Sequence, residues 1–405
     1  MKRFIVVVLD GFGIGEMEDT KIVRPKDIGA NTFKHIVEET NIYLPTLEKL
    51  GICNAVEFEF GDMKLSNSAL FGKCNLMHFG ADTFYGHQEI MGSTPKKPLK
   101  EPFSEAKDRV KKILISNGYK VNEYGNEAKV LVIDDCVTVG DNLEADLGQV
   151  YNITGSLDLI SFDELIKIGK IVRESVYTSR VITFGGENVS LEDLLNAYEE
   201  KECIYAGINA PRSGVYNKGY QVIHLGYGVD PNTQVPTILG KNNVKVYLFG
   251  KVADIVENNY GISIPGVDTA EVFDQLVQKV RENESGFFCL NVQESDLAGH
   301  QQSSEKYAKV LKISDYKLKQ IINILDKDDI LVVMADHGND PTIGHSQHTR
   351  EQVPILIYNE NVKPGYIGEL KTLADIGATA IDYFGLEGTE NGDSFLDKIL
   401  ITNKL

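Results

Sequence analysis

The sequence predicts an α/β protein with a largely parallel central sheet flanked by helices and an inserted α/β domain. Three observations carry the prediction. Short apolar runs at 4–9, 244–249, 287–292 and 330–334 read as strands buried on both faces. Stretches of helical period at 270–283 and 307–325 alternate with them, as in a parallel sheet joined by crossover helices. Three prolines, Pro95, Pro98 and Pro102, fall within eight residues, and beyond them the pattern starts afresh.

The elements follow in order. Residues 4–9 form a first strand, closed by Asp10 and the glycine-rich turn Gly11-Phe12-Gly13-Ile14-Gly15. Residues 31–39 and 44–50 read as short helices, and 76–78 as a strand edge before the turn Gly80-Ala81-Asp82-Thr83. Between 97 and 229, strands are expected at 130–133, 150–153 and 179–184, with an amphipathic helix at 162–174. From 244 the alternation resumes and ends with strands at 330–334 and 353–358. The simplest organisation is a discontinuous core, residues 1–96 and 230–405, interrupted by a domain at 97–229.

Composition narrows the function classes. The chain has 405 residues, 42% hydrophobic and 25% charged, ordinary values for a globular protein. A formal charge of −18 argues against nonspecific binding to nucleic acid or a membrane surface. The five scattered cysteines, Cys53, Cys74, Cys136, Cys203 and Cys289, contain no Cys-x-x-Cys. They are expected as small buried side chains in a reducing compartment, so the expected location is the cytoplasm. The first apolar run ends after six residues at Asp10, too short for a signal peptide or a membrane span.

The chemistry gathers at strand ends. Asp10 follows the first strand, Asp296 and His300 follow the strand at 287–292, and Asp336-His337 follows that at 330–334. His348 returns eleven residues after His337. Carboxyl ends of parallel strands share one edge, where such sheets bind ligands. Nitrogen and oxygen donors of this kind suit Mn²⁺ or Zn²⁺ better than Ca²⁺. Six ligands suffice for two ions, an arrangement suited to in-line displacement at phosphorus. Thr83, in a turn that opens a helix, is the candidate nucleophile. Plainer readings exist for each residue alone: Asp10 as a turn cap, Asp296 as a helix cap, His345 as a loop neighbour. The turn glycines run G-x-G-x-G, not G-x-G-x-x-G, which argues against a dinucleotide fold.

At these residues the chain resembles the phosphopentomutase family of the alkaline-phosphatase superfamily. The shared segments include Val8–Gly15, Asp82-Thr83, Gly86-His87-Gln88-Glu89-Ile90-Met91-Gly92, Gly250–Ile255, Asp336–Thr342, His348-Thr349-Arg350-Glu351 and Ala374–Thr379. The resemblance implies an alkaline-phosphatase-like core with an inserted cap and two Mn²⁺ ions. Asp10, Thr83, Asp336 and His337 would hold one ion; Asp296, His300 and His348 would hold the other. It also implies transfer of phosphate between the 1- and 5-oxygens of ribose or deoxyribose through phosphorylated Thr83, primed by a bisphosphate sugar, in nucleotide salvage. Lys251, Arg180 and Ser156 are the corresponding substrate-binding candidates. The sequence departs from the family in places. Ser295 stands where the family places its aspartate, leaving Asp296, with Glu294 as the alternative ligand. In the insert, Tyr151–Ser156 lacks the family's aspartate, and Phe184 stands where the family has an arginine. A phosphatase or phosphodiesterase, or a mutase of another sugar phosphate, therefore stays open as the alternative.

Overall fold

A computed structural model describes residues 2–144, 147–282 and 285–400. The chain divides into two compact units, Met1–Pro95 with Asp230–Leu405, and Lys96–Val229.

The first unit is built on an eight-stranded sheet. Its order is Ile262–Ile264, Val246–Phe249, Ser285–Val292, Lys2–Leu9, Ile330–Met334, Val353–Tyr358, Leu70–Cys74, Gly365–Leu370. All strands share one direction except Val353–Tyr358, which runs antiparallel to both neighbours. The central strand is apolar throughout because both of its faces are covered; Phe4 to Leu9 have no solvent exposure. Its register decides where the chemistry falls. Leu9 pairs with Val292 and Val8 with Met334. Extending both registers puts Asp10, Gln293 and Asp336 at one level where the chain leaves the sheet. Helices Thr269–Glu282 and Ser304–Ile322 bury apolar stripes, including Phe273, Leu276, Leu311 and Leu318, against the sheet.

The expected strand edge at 76–78 is not one; the strand lies earlier, at Leu70–Cys74. The reason is that side chains saturate the 76–80 backbone. Met77 and His78 amides donate to the buried Glu89 carboxylate, while Arg350 donates to the carbonyls of Leu76, His78 and Gly80. Those groups are then not free for a ladder. Cys203 also departs from expectation. It is exposed, in a left-handed turn at φ 55°, whereas the other four cysteines are buried.

The second unit has a six-stranded sheet ordered Gln221–Gly226, Arg180–Gly186, Val150–Ser156, Val137–Asp141, Lys129–Ile133, Val121–Gly125. Helices Phe103–Ser116 and Phe162–Ser175 close one face over Leu131, Val139, Ile153 and Val181. Among the described residues no helix is long and apolar enough to cross a membrane.

Candidate metal centre and phosphoryl site

Two clusters stand at the carboxyl edge of the first sheet: Asp10, Asp336 and His337, and Asp296, His300 and His348. In the first, all three residues are fully buried. His337 Nδ1 is 2.9 Å from the Gly338 carbonyl oxygen, to which it donates, so Nε2 points inward. Nε2 lies 3.3 Å from both Asp10 Oδ1 and Asp336 Oδ2 and has no hydrogen-bond partner. Burial opposes a charged ring, but the Asp336, Asp10 and Asp296 carboxylates outweigh it and push His337 up to about 10.

The second cluster has the same logic. Asp296 and His300 are four apart on helix Gln293–His300 and so share a face. His300 Nδ1 faces the Ser346 carbonyl at 2.6 Å, and His348 Nδ1 faces that of Ala81 at 3.1 Å. Both rings then turn Nε2 toward each other, 3.1 Å apart, and toward Asp296. At that distance the two nitrogens need a proton or a metal ion between them. Hydrogen bonding to Asp296 raises His300. Burial opposes ionisation of Asp296, yet His300, His348 and Lys251 hold its carboxyl well below the usual range.

Thr83 opens helix Thr83–Ile90, capped by Asp82, whose side chain accepts from the Tyr85 amide. Gly86 lets this helix approach closely: a Cβ there would lie 2.8 Å from the Asp336 carbonyl oxygen. Thr83 Oγ1 consequently donates to Asp336 Oδ2 at 2.7 Å and lies 3.4 Å from Asp10 Oδ1. Lys251, which begins the helix after strand Val246–Phe249, lies 2.9 Å from Asp10 Oδ2 and 3.2 Å from Asp296 Oδ2. Burial alone would lower it; the carboxylates of Asp10, Asp296 and Asp336 raise it above the ordinary lysine value.

The structure thus brings together Asp10, Thr83, Lys251, Asp296, His300, Asp336, His337 and His348. Glu294 does not join them. It accepts from the Thr269 amide and hydroxyl and caps the helix beginning there. Ser295 donates to the Asp10 carbonyl oxygen at 2.7 Å, supporting the strand end and not the clusters. His345 faces Asp27, a loop contact.

Ser156 and Arg180, the substrate candidates of the second unit, are not brought together. In the parallel pair, Val150 is opposite Arg180 and Ser156 opposite Gly186. Six residues separate the two along the strands, about 20 Å. One small sugar phosphate does not span that distance.

Sequence reasoning missed the supports. Buried His87 holds the Thr83 carbonyl at 2.8 Å and faces Asp336 at 3.3 Å. Asn291 Nδ2 donates to Asp10 Oδ2, and Asn339 Nδ2 to Asp296 Oδ1. An asparagine inside the apolar run 287–292 was the available signal for the first of these.

The clusters fit a pair of divalent cations. Each offers three convergent donors, with an orphaned buried Nε2 in one and facing Nε2 atoms in the other. The family comparison agrees: the Metalloenzyme superfamily profile matches residues 2–388.

The chain belongs to the Metalloenzyme superfamily.

Among its relatives, the phosphopentomutase of Kosmotoga olearia is 28% identical, aligned over 98% of this chain and all of its own length. Those of Clostridium kluyveri and Desulfitobacterium hafniense are each 29% identical, over 98% and 99% of this chain and all of theirs. A solved phosphoglycerate mutase of Leishmania mexicana aligns over 96% of each chain at 12% identity and a TM-score of 0.47. As a Metalloenzyme superfamily member, the chain binds divalent metal.

Proposed function

We propose that this chain is a phosphopentomutase-type isomerase acting on ribose or deoxyribose phosphate in the cytoplasm. The observation that carries the reading is the placement of the Thr83 hydroxyl, bonded to Asp336 and beside Asp10, at the amino end of a helix. Full-length similarity to phosphopentomutases supports the substrate class.

Asp10, Asp336 and His337, with Thr83, would hold one Mn²⁺ ion, and Asp296, His300 and His348 a second. Such ions neutralise phosphate charge and lower the barrier to displacement at phosphorus. The protein's own groups do the rest. In the active form Thr83 carries a phosphoryl group, placed there by a bisphosphate sugar. The 5-hydroxyl of ribose 1-phosphate attacks that phosphorus, the bond to Thr83 Oγ1 breaks, and ribose 1,5-bisphosphate forms. Thr83 Oγ1 then attacks the 1-phosphate, returning ribose 5-phosphate and restoring the phosphothreonine. His87 and Asn291 hold Thr83 and Asp10 in place, and Lys251 supplies a positive charge for the phosphate not being transferred. The second unit, Lys96–Val229, supplies sugar recognition.

A second reading has its own support. Phe184 replaces an arginine of the family pattern, and Ser156 and Arg180 lie too far apart to share one ligand. This favours a mutase of another sugar phosphate. Incubation with ribose 1-phosphate and Mn²⁺ tests both. Ribose 5-phosphate supports the first reading; no turnover of ribose 1-phosphate, with isomerisation of another sugar phosphate, supports the second.

A further inference from the structure

One ammonium group touches both clusters. Lys251 Nζ lies 2.9 Å from Asp10 Oδ2 and 3.2 Å from Asp296 Oδ2, and its side chain is 15% exposed. Asp10 belongs to the cluster with Asp336 and His337; Asp296 belongs to that with His300 and His348. Two carboxylates of this sheet edge contact the lysine, and the Asp336 carboxylate adds to the negative field on it. Both oxygens it contacts are also shared. Asp10 Oδ2 accepts from Asn291, and Asp296 Oδ2 faces His300 Nε2 at 3.4 Å. Like charges a few ångströms apart in a poorly solvated site repel strongly.

We propose that Lys251 is a built-in counter-cation that links the two metal clusters, so that it competes with the first divalent ion and its displacement eases entry of the second. The proposal rests on reading the clusters as divalent-cation sites. Because the lysine bridges one carboxylate of each cluster, an ion that weakens its hold on Asp10 also weakens its hold on Asp296. The competitor is removed once, and two sites gain. This is positive coupling carried by one side chain. The ammonium so released keeps its length and charge and stays at the mouth of the site. In the metal-free chain it offsets part of the charge of Asp10 and Asp296, so it also stabilises that form.

The test is Mn²⁺ binding by calorimetry and by the electron paramagnetic signal of free Mn²⁺, using the demetallated full chain. Wild type should bind two ions with a Hill coefficient clearly above about 1. Lys251→Met should bind two ions with a Hill coefficient near about 1 and a first-ion affinity raised about tenfold or more. Lys251→Gln, which keeps a polar end, guards against a folding defect and should behave as Lys251→Met does. The metal-free variants should melt several degrees below wild type, and the difference should shrink on Mn²⁺ loading. Identical two-ion isotherms in wild type and variants, or weaker first binding in the variants, would overturn the counter-cation role and leave the metal sites standing. Failure of wild type to bind any Mn²⁺ would overturn the metal reading itself.

Discussion

Thr83 Oγ1 donates a 2.7 Å hydrogen bond to Asp336 Oδ2, joining the first turn of a helix to a strand end 253 residues later. The contact puts a hydroxyl where a phosphoryl group would meet the carboxylates. Replacing Thr83 with Ala should lower phosphoryl transfer by about a thousandfold or more while the protein still folds and binds Mn²⁺. Initial rates with ribose 1-phosphate, alongside Mn²⁺ binding, check this. Activity within about tenfold of wild type would remove Thr83 from the reaction.

Gly86 makes that contact possible. An added Cβ would meet the Asp336 carbonyl oxygen at 2.8 Å and the Asp336 Cβ at 2.9 Å. Gly86→Ala should therefore shift the helix, cost about 1–3 kcal/mol of stability and weaken transfer about tenfold or more. Thermal melts and rates of the same sample separate the two effects. A variant as stable and active as wild type would show that this packing is not needed.

The two clusters share no ligand, so removing a ligand from one should spare the ion of the other. His348→Ala should reduce bound Mn²⁺ from two ions to one, and Asp336→Asn should remove the other ion. Metal analysis after gel filtration reads the ratio. A chelator should lower the melting temperature of wild type, because an ion bound to the folded state alone stabilises it.

Much of this centre was legible because it breaks a pattern. A carboxylate directly after a run such as 4–9 or 330–334 stands out, and parallel strands must end on one edge. The register supplied the rest: Asp10 and Asp336 leave the sheet side by side. What was illegible depends on side chains that act across the fold. Glu89 and Arg350 turn residues 76–80 into a braced segment where a strand was expected. Arg350 is itself held by Asp19, 331 positions earlier. The edge strand Gly365–Leu370 was missed because its glycines and charge suppress the apolar signal, and it is irregular between Tyr366 and Glu369. The strand Val137–Asp141 was missed for a related reason. Gly140 is needed there, because a Cβ would lie 2.5 Å from the Ala206 carbonyl oxygen.

Asp141 gives a pH prediction outside the metal clusters. It accepts from the amides of Phe103 and Ala206, yet burial dominates and raises it to about 6. The folded chain therefore binds its proton more tightly than the unfolded chain does. The stability from that proton is full below the unfolded value of about 4 and is lost as pH rises through about 6. Asn at this position does not titrate. The stability of wild type relative to Asp141→Asn should fall by about 2 kcal/mol between about pH 4 and pH 8. Denaturant titrations at both pH values measure it. A difference that stays constant or grows with pH would contradict the assignment.

The most direct test of the account is the fate of phosphorus from ribose 1-phosphate in heavy-oxygen water with Mn²⁺, followed by phosphorus resonance. Transfer through Thr83 between two oxygens of one sugar predicts ribose 5-phosphate whose phosphoryl group carries no oxygen from solvent. Release of inorganic phosphate bearing a solvent oxygen, without ribose 5-phosphate, would contradict it and make the chain a phosphatase.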